Sequence, residues 1–247
     1  MYSGMAKTAA KNYVTAATAL LLALVPAAAE AADVGPPVEL GHDVVVDAGH
    51  GGIDGGTSHG DRLEKHLTLA LARDLKAALA ERGLRAAVTR TDDYAPSDDN
   101  RWLPSRSRHL RDLAQRHLII RELSPRIVVS VHVNWSPDPS RSGPVVLYPF
   151  DPQSHALAHL VQERLNRLYG AREVPYIAPN FYLFRRATCP TVILEAGFIG
   201  NAGDVERLTT PEKRKKIAAA VADGILAFLL AYELPLRTPV TDAVFPE

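Results

Sequence analysis

The chain has 247 residues, and its 28 lysine and arginine residues are balanced by 28 aspartate and glutamate residues, so the formal net charge is zero. This balance leaves no overall field to attract nucleic acid or an anionic membrane, and we expect neither as a partner. Cys189 is the only cysteine, which excludes an internal disulfide. The length suits one α/β domain with a core large enough to fold without disulfides.

The first residues have the order of a secretory signal peptide. Lys7 and Lys11 precede an apolar run over residues 14–25, and an alanine-rich segment with A-x-A sites follows. The run has about a dozen residues, fewer than the roughly 20 that span a membrane. We therefore predict cleavage after Ala29 or Ala31 and export without a stable membrane span, with retention as an anchor as the alternative. The expected location is the periplasm, the cell wall or the extracellular space.

Apolar periodicity predicts strands that alternate with helices over the rest of the chain. The predicted strands cover residues 43–47, 85–89, 127–131, 143–148 and 191–196, and the predicted helices cover residues 64–82, 107–123, 154–169 and 211–232. The arginines of the second helix are predicted to form a solvated face. This alternation indicates a single layered α/β domain, in which a central, mostly parallel or mixed sheet has helices on both faces.

Three side chains with metal-binding chemistry stand at the ends of predicted elements. His50 follows the first strand in a glycine-rich turn, Glu64 begins the first helix, and His132 ends a β-branched strand. Two imidazoles and one carboxylate leave a fourth position for water, as in catalytic zinc sites. Each residue also has an ordinary interpretation: His50 as a surface histidine, Glu64 as an acid in the first turn of a helix, and His132 as a core histidine. Glu195 ends an apolar strand, where a carboxylate is costly unless it has a partner or a function.

Four segments in register carry a more specific signal. They are DAGHGGIDGG (residues 47–56), LEK (63–65), SVHVN (130–134) and CPTVILEAGFIGN (189–201). In this order they resemble the motifs of the zinc-dependent N-acetylmuramoyl-L-alanine amidases of the amidase 3 type, over about residues 43–232. The resemblance implies a peptidoglycan hydrolase that uses zinc-activated water to cleave the amide bond between N-acetylmuramic acid and the L-alanine of the stem peptide.

The same resemblance implies roles for individual residues. His50, Glu64 and His132 match the ligands of one zinc ion, and Glu195 matches the catalytic glutamate. Candidate substrate-binding residues are Asn134, Arg116 and Arg185, although a structural turn role is equally open for the asparagine.

The sequence patterns and the resemblance together give the expected organisation and partners. We expect a signal peptide (1–31), a short linker (32–42), a zinc amidase catalytic domain (43–232) and a loose C-terminal tail (233–247). Peptidoglycan is the expected partner of a monomeric enzyme, and the need for a protein activator is left open. One alternative is a zinc peptidase or carboxypeptidase that cuts within the stem peptide, because the same ligands can serve any amide. A non-catalytic wall-binding module is the other.

Overall fold

The computed structural model describes residues 41–233. The predicted signal peptide, residues 32–40 of the predicted linker and residues 234–247 of the predicted tail lie outside this part of the chain. Within residues 41–233, no helix combines the length and the apolar character needed to cross a membrane.

A central sheet organises the described part of the chain. Its strands are β1 (Val44–Ala48), β4 (Ala86–Val88), β5 (Ile127–Asn134), β6 (Val145–Tyr148), β7 (Tyr176–Ile177) and β8 (Thr191–Phe198), and the short β2 (Ser58–His59) and β3 (Arg62–Leu63) pair separately. The spatial order is β4-β1-β5-β8-β6-β7. The first four strands in this order are parallel, whereas β6 runs antiparallel to β8. The carboxyl ends of β1, β5 and β8 therefore meet at one edge, where sheets of this kind place ligands.

Helices cover both faces of the sheet. They are α1 (Glu64–Ala80), α2 (Arg108–Leu123), α3 (Pro152–Tyr169), α4 (Ala202–Thr209) and α5 (Pro211–Glu233). Alternate residues of β1 enter different layers: Val44 and Val46 join the core formed with α1, α3 and α5, whereas Val45 packs towards Ile120 of α2. The predicted α/β domain, with a mixed sheet between helices, is confirmed.

Local capping explains where several helices begin. The Ser107 side chain accepts a hydrogen bond from the backbone N–H of Leu110 at the start of α2. Asp151 caps α3 and Asn201 caps α4 in the same way. The sequence prediction missed α4, since its eight residues bury only two apolar side chains, too few to show a period. It also missed β2, β3 and β7, each of which has two residues.

Candidate metal centre

The structure brings His50, Glu64 and His132 together at the carboxyl edge of the sheet. One ligand atom from each lies within 4.8 Å of the others, the one such group of three within residues 41–233. Glu64 Oε2 is 3.1 Å from His50 Nε2, and Glu64 Oε1 is 3.0 Å from His132 Nδ1. The two imidazole rings meet edge to face, with centroids 5.0 Å apart. This set of two nitrogens and one carboxylate fits zinc in a catalytic type of site.

The Glu64 carboxylate is held by backbone as well as by the histidines. Its Oε1 accepts a hydrogen bond from the N–H of Val133 (3.0 Å), and its Oε2 accepts one from the N–H of Thr57 (2.9 Å). Burial acts to raise the pKa of Glu64, but the hydrogen bonds with His132 and His50 outweigh it and lower that pKa below its usual range. Glu64 is therefore an anionic and rigidly oriented group.

His50 reaches the centre because its backbone adopts an uncommon conformation. Its φ is +61°, in the left-handed region, and the following Gly51 and Gly52 also have positive φ. On the other side of the ring, Nδ1 lies 3.2 Å from Asp54 Oδ2, although the two atoms are poorly aligned for a hydrogen bond. A carboxylate behind one imidazole nitrogen directs the other nitrogen, here Nε2, towards the centre.

Two buried arginines hold the turn that carries His50. Arg116 donates to the carbonyl oxygens of Ala48 (2.7 Å) and His50. Arg90 donates to the carbonyl oxygens of Ala48 and Gly49, each at 3.0 Å. Three successive carbonyl groups that leave the sheet ladder are thereby satisfied inside the protein. We call Arg90 and Arg116 the arginine pair.

Arg116 is also the centre of a buried ionic network. Its guanidinium lies 2.7 Å from both Asp47 Oδ1 and Asp112 Oδ2, and the residue is only 4% exposed. Burial alone raises the pKa of Asp47, but the charge of Arg116 and hydrogen bonds from Ser130 and Thr89 lower it to about 2. The prediction that the arginines of α2 form a solvated face is therefore wrong for Arg116. Its partner Asp47 lies 69 positions away, and no local pattern shows that pairing.

Glu195 stands beside the metal-binding group on the neighbouring strand. It pairs in register with His132 across β5 and β8. Burial raises the pKa of Glu195; the charge of His132 lowers it and that of Glu64 raises it. Its Oε2 is shielded from solvent and has no hydrogen-bond partner among the described residues. An unpartnered carboxylate oxygen is costly to bury, so this atom is available for an incoming group.

These residues line one cavity of about 620 Å³. Its walls come from α2, from residues 180–183 and from the end of β5. Asn134 and Arg185 both reach this cavity, and the Asn134 side chain accepts a hydrogen bond from the N–H of Trp135 (2.8 Å). Arg116 also lines it, but its guanidinium nitrogens all donate to protein acceptors. Asp54 was not predicted from the sequence as a site residue. The one sequence signal for it is its position four residues after His50.

Comparisons with known proteins point to one family. The family model described as N-acetylmuramoyl-L-alanine amidase matches residues 44–227. The germination-specific N-acetylmuramoyl-L-alanine amidase of Bacillus subtilis (strain 168) is 30% identical over 190 residues, which are 76% of this chain and 80% of the relative.

Solved structures agree with the sequence comparisons. The CwlD amidase from Clostridioides difficile, in complex with the GerS lipoprotein, has a TM-score of 0.71 and 29% identity, covering 77% of this chain and 99% of that one. The catalytic domain of CwlV, an N-acetylmuramoyl-L-alanine amidase from Bacillus (Paenibacillus) polymyxa var. colistinus, has a TM-score of 0.63 and 28% identity, covering 75% and 97%.

Proposed function

The chain belongs to the N-acetylmuramoyl-L-alanine amidase family, and on this premise we propose that His50, Glu64 and His132 hold one zinc ion and that Glu195 moves the proton during cleavage. The protein is an amidase that hydrolyses the bond between N-acetylmuramic acid and the L-alanine of the stem peptide. The observation that carries the proposed site is the convergence of three ligand atoms within 4.8 Å beside a buried, unpartnered carboxylate oxygen.

When bound, zinc supplies a Lewis acid that polarises the amide carbonyl and makes water nucleophilic near neutral pH. In this proposal Glu195 accepts a proton from the attacking water at Oε2 and returns it to the leaving L-alanine nitrogen. Burial raises the pKa of Glu195, which makes its carboxylate a stronger base towards the attacking water. The resulting carboxyl group is still acidic enough to protonate the leaving amine nitrogen. In this proposal the charge of the Asp54 carboxylate, 3.2 Å from His50 Nδ1, helps to orient the ring.

The three predicted substrate-binding residues differ in their contacts, and we propose different roles for them. Arg185 is exposed where it lines the cleft, and its charge suits a carboxylate of the stem peptide. Asn134 lines the cavity at the end of β5, and in this proposal its side-chain amide contacts the substrate. Arg116 is committed to Asp47, Asp112 and the turn before His50, and these contacts favour a positioning role.

Location and partners extend the proposal. The substrate lies outside the cytoplasmic membrane, so the enzyme is proposed to be exported by its N-terminal segment and to act as a monomer in the periplasm or cell wall. The CwlD amidase was solved together with the GerS lipoprotein, and on this ground a protein activator is included among the proposed partners of this chain. A peptidase that cuts within the stem peptide would use the same ligands, but family membership supports the amidase.

Metal content tests the proposed ligands independently of turnover. Zinc per chain is measured by plasma mass spectrometry after dialysis for the wild type and for the His50→Ala, Glu64→Ala, His132→Ala and Glu195→Gln variants. The wild type and Glu195→Gln should each retain one zinc ion, while the three ligand variants should lose it. His155→Ala, an exposed histidine of α3, is the control and should retain zinc. Full zinc occupancy in the ligand variants, or full turnover by Glu195→Gln, would contradict the assignment.

A further inference from the structure

Trp135 is an exposed aromatic residue at the mouth of the cleft. It follows β5 directly, three positions after His132, and is 54% exposed although it lines the same cavity as the metal-binding group. Its backbone N–H donates to Asn134, which fixes the chain at this point. The indole N–H has no hydrogen-bond partner within residues 41–233, whereas that of the other tryptophan, Trp102, donates to Gln115 (3.0 Å). Trp135 therefore presents both an aromatic face and an unused donor.

The surroundings of Trp135 extend this apolar surface. Leu110 of α2 and Phe181 are also exposed, and both line the same cavity. Single exposed apolar residues are common on proteins and need no explanation. Three that line one cavity are more than scattered single residues, and apolar surface concentrated at one cavity is typical of binding sites.

The chemistry of the substrate separates its two halves. The carboxyl group of each substituted N-acetylmuramic acid is consumed in the amide bond, so the glycan next to the scissile bond carries no charge, whereas the stem peptide has free carboxylates. Arg185 suits the charged peptide. An indole suits a pyranose ring, because its face packs against the apolar C–H face of the sugar while its N–H reaches a hydroxyl or acetamido oxygen.

We propose that Trp135 is a carbohydrate platform, on which an N-acetylated sugar ring of the glycan strand stacks while the scissile amide lies at the metal centre. This inference rests on the proposed function for the orientation of the substrate. Sugar binding itself requires neither turnover nor metal, so the two proposals can fail separately. The platform would make the enzyme select its substrate by the glycan as well as by the peptide.

Binding of an N-acetylglucosamine tetramer, which carries no peptide, tests the platform directly. The chain contains two tryptophans, so in Trp102→Phe the tryptophan emission comes from Trp135 alone. The tetramer should change this emission saturably, and calorimetry should give the same affinity for Trp102→Phe as for the wild type. Trp135→Ala should bind the tetramer about tenfold more weakly, and Trp135→Phe should keep most of the affinity. Trp102 is a matched control because it is 53% exposed but lies outside the cavity lining.

The free stem peptide provides the opposing probe. Trp135→Ala should bind this peptide as the wild type does, and its melting temperature should be unchanged because the side chain is exposed. Equal tetramer affinity in Trp135→Ala and the wild type, or no tetramer binding by the wild type, would overturn the proposal. Weakened binding of the peptide alone would assign Trp135 to the peptide half and would also overturn it. Tetramer binding by a protein that cleaves no peptidoglycan would retain the platform and reject the proposed function.

Discussion

Replacing Arg116 with methionine tests whether the arginine pair stabilises the turn that carries His50 and so supports the metal centre. Arg116→Met keeps much of the side-chain length but removes the group that neutralises Asp47 and Asp112 and binds the carbonyl oxygens of Ala48 and His50. Removing one partner of a buried ion pair typically costs about 3–5 kcal/mol, because the other charge stays buried without compensation. We expect a loss of that size in the free energy of unfolding.

Urea unfolding of Arg116→Met and Arg121→Met compares the free energies of unfolding of two variants. Both carry the same arginine-to-methionine change in the same helix, α2. Arg121 and its partner Glu122 are 62% and 66% exposed, so Arg121→Met should cost less than about 1 kcal/mol. Zinc competition with a chromophoric chelator adds a second readout, in which Arg116→Met should bind zinc at least about tenfold more weakly. Equal stability of the two variants, or unchanged zinc affinity in Arg116→Met, would refute the reasoning.

Acid provides an independent check of the same network. The pKa of Asp47 falls from 3.8 to about 2 on folding, because the charge of Arg116 and its hydrogen bonds outweigh burial. A lowered pKa contributes stability that is fully present above about pH 4 and is lost as the pH falls towards 2, a change of about 2 kcal/mol. The gap in stability between the wild type and Arg116→Met should therefore narrow over this range. A gap that stays constant would show that Asp47 is not the main partner.

Two glycine substitutions test the packing around the site and in the core. In Gly49→Ala the new Cβ would lie 2.5 Å from His132 Cε1, so the imidazole ring must move and zinc affinity should fall by about tenfold or more. Gly55→Ala is the control: its new Cβ would lie no closer than 3.4 Å to any neighbouring atom, so zinc affinity should be unchanged. Equal zinc affinities in these two variants would contradict the packing argument. In Gly224→Ala the new Cβ would lie 2.7 Å from the Val161 backbone. Thermal unfolding should therefore show a net loss of about 2 kcal/mol in the free energy of unfolding, despite the better helix propensity of alanine. An unchanged melting temperature would contradict this expectation.

The fold could be predicted from the sequence where its signals are local. The leucines of α1 and the β-branched run of β5 show their periods within a single element, and the predicted and observed boundaries differ by a few residues at most. The short α4 was not predicted because tertiary contacts stabilise it. Asp204 of this helix accepts a hydrogen bond from the N–H of Phe198, and apolar periodicity cannot reveal such a contact.

The candidate site divides in the same way. His50, Glu64, His132 and Glu195 stand in motifs that could be recognised from sequence, and the structure brings these four together. The arginine pair could not be predicted in its role, because Arg90 and Arg116 act on carbonyl groups 41 to 68 positions away. Buried arginines are rare, so sequence alone favours a solvated face for such residues until their partners are known.

Mass spectrometry of purified peptidoglycan digested by the protein is the most direct test of metal-dependent amide cleavage at this centre. The wild type should release stem peptides with a free L-alanine amino terminus and leave unsubstituted glycan strands; a chelator should stop the release, and added zinc should restore it. Glu195→Gln with full zinc content should release nothing. Products cut inside the stem peptide, or release of free stem peptides in the presence of the chelator, would contradict the account.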